Sequence, residues 1–105
     1  MLILAAVDQG LRTGRLYYIL GNALLRADNI AGAEAAAGQA IALAPGVPEN
    51  HKLAAFIALR IGRHEEATRQ AHIAFEFAPQ IAEYAELPKQ VSNAISAKVN
   101  HSPPR

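Results

Sequence analysis

"AIALAP" occupies residues 40–45 and "AFEFAP" residues 74–79. Each is an alanine, a large apolar residue, a spacer, a second large apolar residue and Ala-Pro. The closing prolines, Pro45 and Pro79, stand thirty-four residues apart. Applied along the chain, that offset lays 14–47 over 48–81. Seven positions are then identical: Leu25/Leu59, Arg26/Arg60, Ala33/Ala67, Ala37/Ala71, Ala40/Ala74, Ala44/Ala78 and Pro45/Pro79. Ile19/Leu53, Ile41/Phe75, Leu43/Phe77 and Val47/Ile81 are apolar in both. Ala33, Ala37 and Ala40 are spaced four and three, as are Ala67, Ala71 and Ala74, which writes one stripe of a helix twice.

Both units break in the middle. "RADNIAG" (26–32) and "RIGRHEE" (60–66) carry Asp28-Asn29 and Gly62 where a turn falls, and these residues take left-handed or turn geometry at low cost. Pro45 and Pro79 end each second half, because proline cannot continue a helix. The pattern predicts two antiparallel helix hairpins, 14–27 with 30–43 and 48–61 with 64–77. Pro48 opens the second, where its missing N–H costs nothing, and Glu65 and Glu66 complement a helix N-terminus. Shifted back by one period, "ILAAV" (3–7) falls beneath 37–41, so residues 2–9 read as the tail of a helix whose front half is missing. Beyond Ile81 a short turn and a capping helix over about 88–99 are expected, with Pro88 interrupting the pattern and disfavouring helix at Leu87. "NHSPPR" (100–105) reads as a frayed, disordered tail. The fold class is all-α, an α/α solenoid of antiparallel helix hairpins, in one domain spanning 1–99.

Composition agrees. Half of the 105 residues are apolar, alanine dominates them and aromatics are scarce, which suits closely packed helices. The net charge of +1 sets up no strong field toward nucleic acid or anionic lipid. With no cysteine there are no disulfides, thiolate metal sites or cysteine nucleophiles. The apolar start "MLILAAV" is too short for a bilayer span and lacks the basic flank of a signal peptide. The expectation is a soluble, cytoplasmic protein without membrane insertion.

A thirty-four-residue period with small residues at fixed stations resembles the tetratricopeptide repeat. Tyr17, Leu20, Gly21, Leu24, Ala33, Ala40 and Pro45 fill the family's stations in the first unit. Gly62, Ala67, Ala74 and Pro79 fill them in the second, whose front half departs with His51, Ala54 and Ala55. The resemblance covers roughly 3–81. It implies that small residues at 33, 37 and 40 let paired helices approach closely, and that stacked pairs bury a stripe neither buries alone. Stations the family buries place Phe75 and Phe77 in the core. The first helix of each hairpin would line a concave groove that holds a partner's peptide or helix. That groove carries Arg15, Tyr18, Asn22, Leu25 and Arg26, then Glu49, Lys52, Phe56, Leu59 and Arg60, with Gln90 and Asn93 from the capping helix. Leu25 and Leu59 are equally readable as core. The aromatics would anchor an apolar side chain and the cations would favour an acidic partner. The family's clamp for a C-terminal carboxylate is absent. Asn22 fits it, but Tyr18, Leu53, Glu83 and Leu87 occupy its other places.

Chemistry is sparse. His51, His64, His72 and His101 include no pair at the i, i+4 spacing of a helical metal site, so no metal or other cofactor is expected. "HEE" (64–66) reads as a helix start. Three serines and two threonines form no nucleophile elbow, and no glycine-rich phosphate loop is present. "NHS" (100–102) matches a glycosylation acceptor by chance. Arg60, Arg63 and Arg69 are interleaved with Glu65 and Glu66, so a solvated face is favoured over a nucleic-acid site. The sequence therefore points to a non-catalytic interaction module. The alternative is a structural homo-oligomer, because the first hairpin has no upstream neighbour to cover its edge.

Overall fold

The computed structural model describes residues 2–99, and every regular element in that span is a helix. In chain order these are α1 (Leu2–Arg26), α2 (Ile30–Leu43), α3 (Pro48–Arg60), α4 (His64–Phe77), α5 (Ala82–Ala85) and α6 (Leu87–Val99). α1 packs along α2, α3 packs along α4, and α2 touches α3. α6 closes the far end against α4 and α3.

The two breaks close in the same way. In the first, Asp28 takes the left-handed conformation (φ 66°). Its N–H donates to the Leu25 carbonyl at 3.0 Å, and the Asn29 N–H donates to Leu24 at 2.8 Å. In the second, Gly62 (φ 79°) donates to Leu59 at 3.2 Å, and Arg63 donates to Ala58 at 2.9 Å. This pair of reversed bonds satisfies carbonyls that a helix C-terminus leaves open. Asn29 then caps α2, its side-chain oxygen accepting from the Gly32 N–H at 3.0 Å.

Alanine carries the core. Ala33, Ala36, Ala37, Ala40 and Ala44 are buried along α2 and its end, and Ala67, Ala71, Ala74 and Ala78 along α4 and its end. One cluster joins Ala33 and Ala37 to Leu53 and Ile57 of α3. The other joins the α4 alanines to Ala55, Ala58, Tyr84, Leu87 and Val91. α1 lies close to α2 because glycine faces it. A Cβ at Gly14 would stand 3.0 Å from the Ala44 Cβ, and one at Gly21 would stand 3.4 Å from the Ala36 Cβ of α2 and 3.0 Å from a Leu53 methyl of α3.

Three expectations are corrected. Residues 2–9 and 14–27 are not separate helices. They belong to one 25-residue helix, since nothing between them breaks it and Gly10 and Gly14 face the end of α2. The stretch before Pro88 is not only a turn but includes the short helix α5, and α6 starts at Leu87. Pro88 sits in the first turn of α6, where no N–H is needed, so it opens the helix rather than interrupting it. Phe75 and Phe77 are not core: they are 36% and 51% exposed. The buried stripe of α4 is Ala67, Ala71, Ala74 and Ala78, which turns positions 75 and 77 outward. The expected tail at 100–105, with His101 and the "NHS" triplet, lies outside the described residues.

Candidate functional site

α1, α3 and α6 converge on an open cleft of about 740 Å³ lined by Leu25, Phe56, Leu59, Arg60, Ala94, Ala97 and Lys98. Phe56 and Leu59 are half-buried and pack against the second core cluster, while Leu25 packs against the first. Each therefore belongs to both core and cleft. Ala94 and Ala97 are exposed and form the α6 wall. The Lys98 ammonium donates to the Leu59 carbonyl at 3.4 Å and stands at the rim with Arg60.

The groove expected from the sequence is not brought together as one lining. Leu25, Phe56, Leu59 and Arg60 share the large cleft. Arg15, Tyr18 and Glu49 line a smaller one of about 250 Å³ with Leu11 and Asn50. Asn22, Arg26 and Lys52 line neither, and Gln90 and Asn93 are exposed on α6 outside both. Ala94, Ala97 and Lys98 escaped the sequence reading because α6 lies beyond the second repeat and has no period to place it.

Most of the groove cations already have partners. Arg15 pairs with Glu49 at 3.0 Å, and Lys52 pairs with Glu83. Arg60 pairs with Asp28, and outside the groove Arg63 pairs with Glu34 at 2.7 Å. Each pair joins residues from different units, so the charges form a ladder across the seam. Arg15 also lies over the Tyr18 ring and Lys52 over the Phe56 ring, each 5.9 Å from the centroid. The Tyr18 hydroxyl is held above its ordinary value of 10.0, first by burial and then by the Glu49 carboxylate, against the opposing fields of Arg15 and Arg26. Arg26 is exposed and makes no ion pair among the described residues.

A second polar cluster lies where the linker 44–47 meets α3 and α4. Asn50 is 2% exposed, and its side-chain amide donates to the Ala40 carbonyl at 3.1 Å and the Ala44 carbonyl at 3.0 Å. His51 is 5% exposed. Its Nδ1 lies 2.7 Å from Gln70 Oε1, its Nε2 lies 2.7 Å from the Pro45 carbonyl oxygen, and its ring stacks on Phe77. Gln70 Nε2 donates in turn to Glu66 at 2.9 Å, and Arg69 holds the same carboxylate. Gln70 stands one period after Ala36, so a polar side chain replaces a core alanine.

Among the described residues no group of three or more His, Asp or Glu side chains is placed to hold a metal ion. No helix there is long and apolar enough to cross a membrane. No family model, curated protein or solved structure matches the chain.

Proposed function

We propose that this chain is a non-catalytic interaction module of the tetratricopeptide-like α-solenoid type, holding a peptide or helix of another protein along the face formed by α1, α3 and α6. The observation that carries this reading is the open apolar cleft between Leu25, Phe56, Leu59, Ala94 and Ala97. A module that uses side chains from three helices with two cations at the rim recognises an apolar anchor flanked by an acid. Arg15, Lys52 and Arg60 are engaged within the fold, so an acidic partner has to compete with Glu49, Glu83 and Asp28 for them. Apolar contact in the cleft would therefore supply most of the affinity, with Lys98 and Arg60 orienting the partner.

The test is selection from a displayed random peptide library against the intact chain, with Ala94→Gln as the comparison. Ala94 is exposed, so the longer side chain fills the cleft without entering the core. Enriched peptides should share an apolar anchor and an acid, and Ala94→Gln should weaken their binding by tenfold or more. Peptides that bind both proteins equally would place recognition on another face. Phe56→Ala is the poorer probe, because Phe56 also packs against the core.

A second reading, assembly of copies through the α1 edge, is favoured by the exposure of Leu16 (66%), Ile19 (50%) and Leu20 on that helix. Light scattering on the eluting protein separates the two: a mass that stays monomeric at high concentration removes assembly.

A further inference from the structure

We propose that two copies of this chain pair through the outer face of α1, antiparallel, about a two-fold axis that crosses the helix near residue 17. The proposal rests on the second reading above, assembly through the α1 edge, and gives it a geometry. Its first support is what the fold does one period later. α3 buries Asn50 (2% exposed), Leu53 (3%) and Ile57 (2%), and Leu53 and Ile57 pack on Ala33 and Ala37 of α2. Thirty-four residues earlier, the same stations of α1 hold Leu16, Ile19 and Ala23, with Leu20 in the place of Ala54. α1 meets α2 through Gly10, Gly14 and Gly21 and meets α3 through Tyr18 and Leu25, all on its other sides. Leu16 is left 66% exposed, Ile19 50% and Leu20 46%, and Ala23 and Ala27 are exposed beside them. A face that is core on α3 is therefore bare on α1. It is also the more apolar of the two, with leucine where α3 has Asn50 and Ala54. Leu16, Leu20, Ala23 and Ala27 are spaced four, three and four, the spacing of a seam between two helices.

Charge selects the occupant and its direction. Asp8 and Arg26 are eighteen residues apart, five helical turns, so they lie on one line of α1 along the edge of the stripe. Arg26 makes no ion pair among the described residues. In an antiparallel two-fold pair each flank of the seam runs beside the same flank of the partner helix. An axis at residue 17, midway between 8 and 26, brings Arg26 level with Asp8 of the second copy, and the symmetry makes the pairing twice. The same axis sets Leu16 between Leu16 and Leu20 of the second copy, and Arg12 level with Asn22. A parallel pair would instead hold the two copies of Arg12 at one level, and the two copies of Arg26 at another.

The far end of the molecule offers no substitute. α6 closes it, and among the described residues α6 exposes no large apolar side chain that a head-to-tail neighbour could use. A closed dimer covers the stripe on both copies at once. Leu25, which lines the cleft of α1, α3 and α6, lies on the opposite side of α1 from Leu16 and Ala23. Pairing thus leaves that cleft open, and each dimer presents two of them.

The chain has no cysteine, so a single introduced cysteine reports which positions meet across the seam. The experiment compares Leu16→Cys with Ala23→Cys in a glutathione redox buffer; both sites are exposed, so neither change enters the core. About an axis at residue 17, the two copies of position 16 are offset by about 3 Å along the helix and those of position 23 by about 18 Å. A disulfide needs Cα atoms within roughly 7 Å, so Leu16→Cys should cross-link and Ala23→Cys should not. Sedimentation equilibrium supplies the second arm. The unaltered chain should sediment as a dimer and Leu16→Glu as a monomer with an unchanged helical melting curve. Arg26→Asp should weaken the dimer by roughly tenfold, and adding Asp8→Arg should restore it. Equal cross-linking at both sites, or no recovery in the charge-reversed double variant, overturns the antiparallel geometry while leaving assembly through α1 standing. A chain that stays monomeric at high concentration, or a dimer indifferent to Leu16→Glu, overturns both.

Discussion

Replacing Asn50 by leucine tests whether buried polar ties, rather than the alanine stripes alone, hold the end of α2 to α3. Leucine keeps the shape and roughly the volume but removes two donors. Both are lost from a site 2% exposed, where water does not substitute. The Ala40 carbonyl keeps its bond from the Ala44 N–H at 2.9 Å, and the Ala44 carbonyl keeps a longer one from Val47 at 3.3 Å. Neither oxygen is therefore fully orphaned, and the full penalty for an unsatisfied buried group does not apply. Two lost bonds at roughly 0.5–1.5 kcal/mol each give about 1–3 kcal/mol. In a domain of this size that lowers the melting midpoint by roughly 5–20 °C. Asn50→Asp separates the bond from the shape. It keeps the volume and puts acceptor oxygens against two carbonyls, so it should be worse than leucine at pH 7. The assay is urea unfolding followed by circular dichroism, with the slope checked for constancy so that the midpoint reports stability. If leucine is neutral and Asp matches it, the Asn50 bonds contribute nothing and the reasoning about this end of α2 fails.

Ala71→Phe should destabilise the fold by about 1–3 kcal/mol through overpacking, since Ala71 is completely buried in the second cluster. Ala37→Phe should cost less, because Ala37 borders an open cleft of about 300 Å³ shared with Ile41, Ala54 and Ile57 that can take the ring; equal losses in urea midpoint would refute that difference. On the acid side, the Glu66 carboxyl lies below its ordinary 4.5, so its contribution is present above that value and is lost as pH falls through its folded-state value. Melting curves from pH 5 to 3 should therefore fall less steeply for Glu66→Gln than for the unaltered chain.

The helical class, the two breaks and the alanine stripes were legible because each has a local cause that survives without neighbours. Proline removes a donor, Gly62 and Asp28 take a left-handed turn, and alanines at four-and-three spacing define a face. The continuity of α1 was not legible, because the thirty-four-residue period suggested a boundary that the backbone does not need. Phe75 and Phe77 were misplaced by analogy with stations that are bulky in other repeats. Here the neighbouring alanines carry the contact and the rings face outward. The polar cluster was missed for a different reason. Asn50 and Gln70 belong to no motif, His51 reads only as a departure from a repeat station, and only packing brings them to the same end of α3. One signal was available: Gln70 stands a period after Ala36, within a stripe that is otherwise small and apolar. The ion-pair ladder was half legible. The signs of Arg15, Glu49, Lys52 and Glu83 are in the sequence, but the reading left the cations free for a partner because it did not stack one unit on the next.

The alanine core raises the question of what fixes register. A stripe such as Ala33, Ala37, Ala40 and Ala44 looks much the same after a shift of one helical turn, about 5.4 Å. Sliding one helix pair along the other would set Leu53 and Ile57 of α3 against another two alanines of the α2 stripe, so the stripe alone distinguishes the registers poorly. Directional contacts do not tolerate such a shift. The Asn50 amide reaches two particular carbonyls, and His51 reaches Pro45 on one side and Gln70 on the other. The ion pairs Arg15–Glu49, Arg60–Asp28 and Arg63–Glu34, which join the two helix pairs, would each be broken by one turn of sliding. Each exposed pair contributes at most about 1 kcal/mol, so their sum does not make the fold stable. They act by discriminating one register from its neighbours. That same register brings Leu25, Phe56 and Ala94 to one cleft, so the polar ties at one end of α3 determine the shape of the apolar surface at the other.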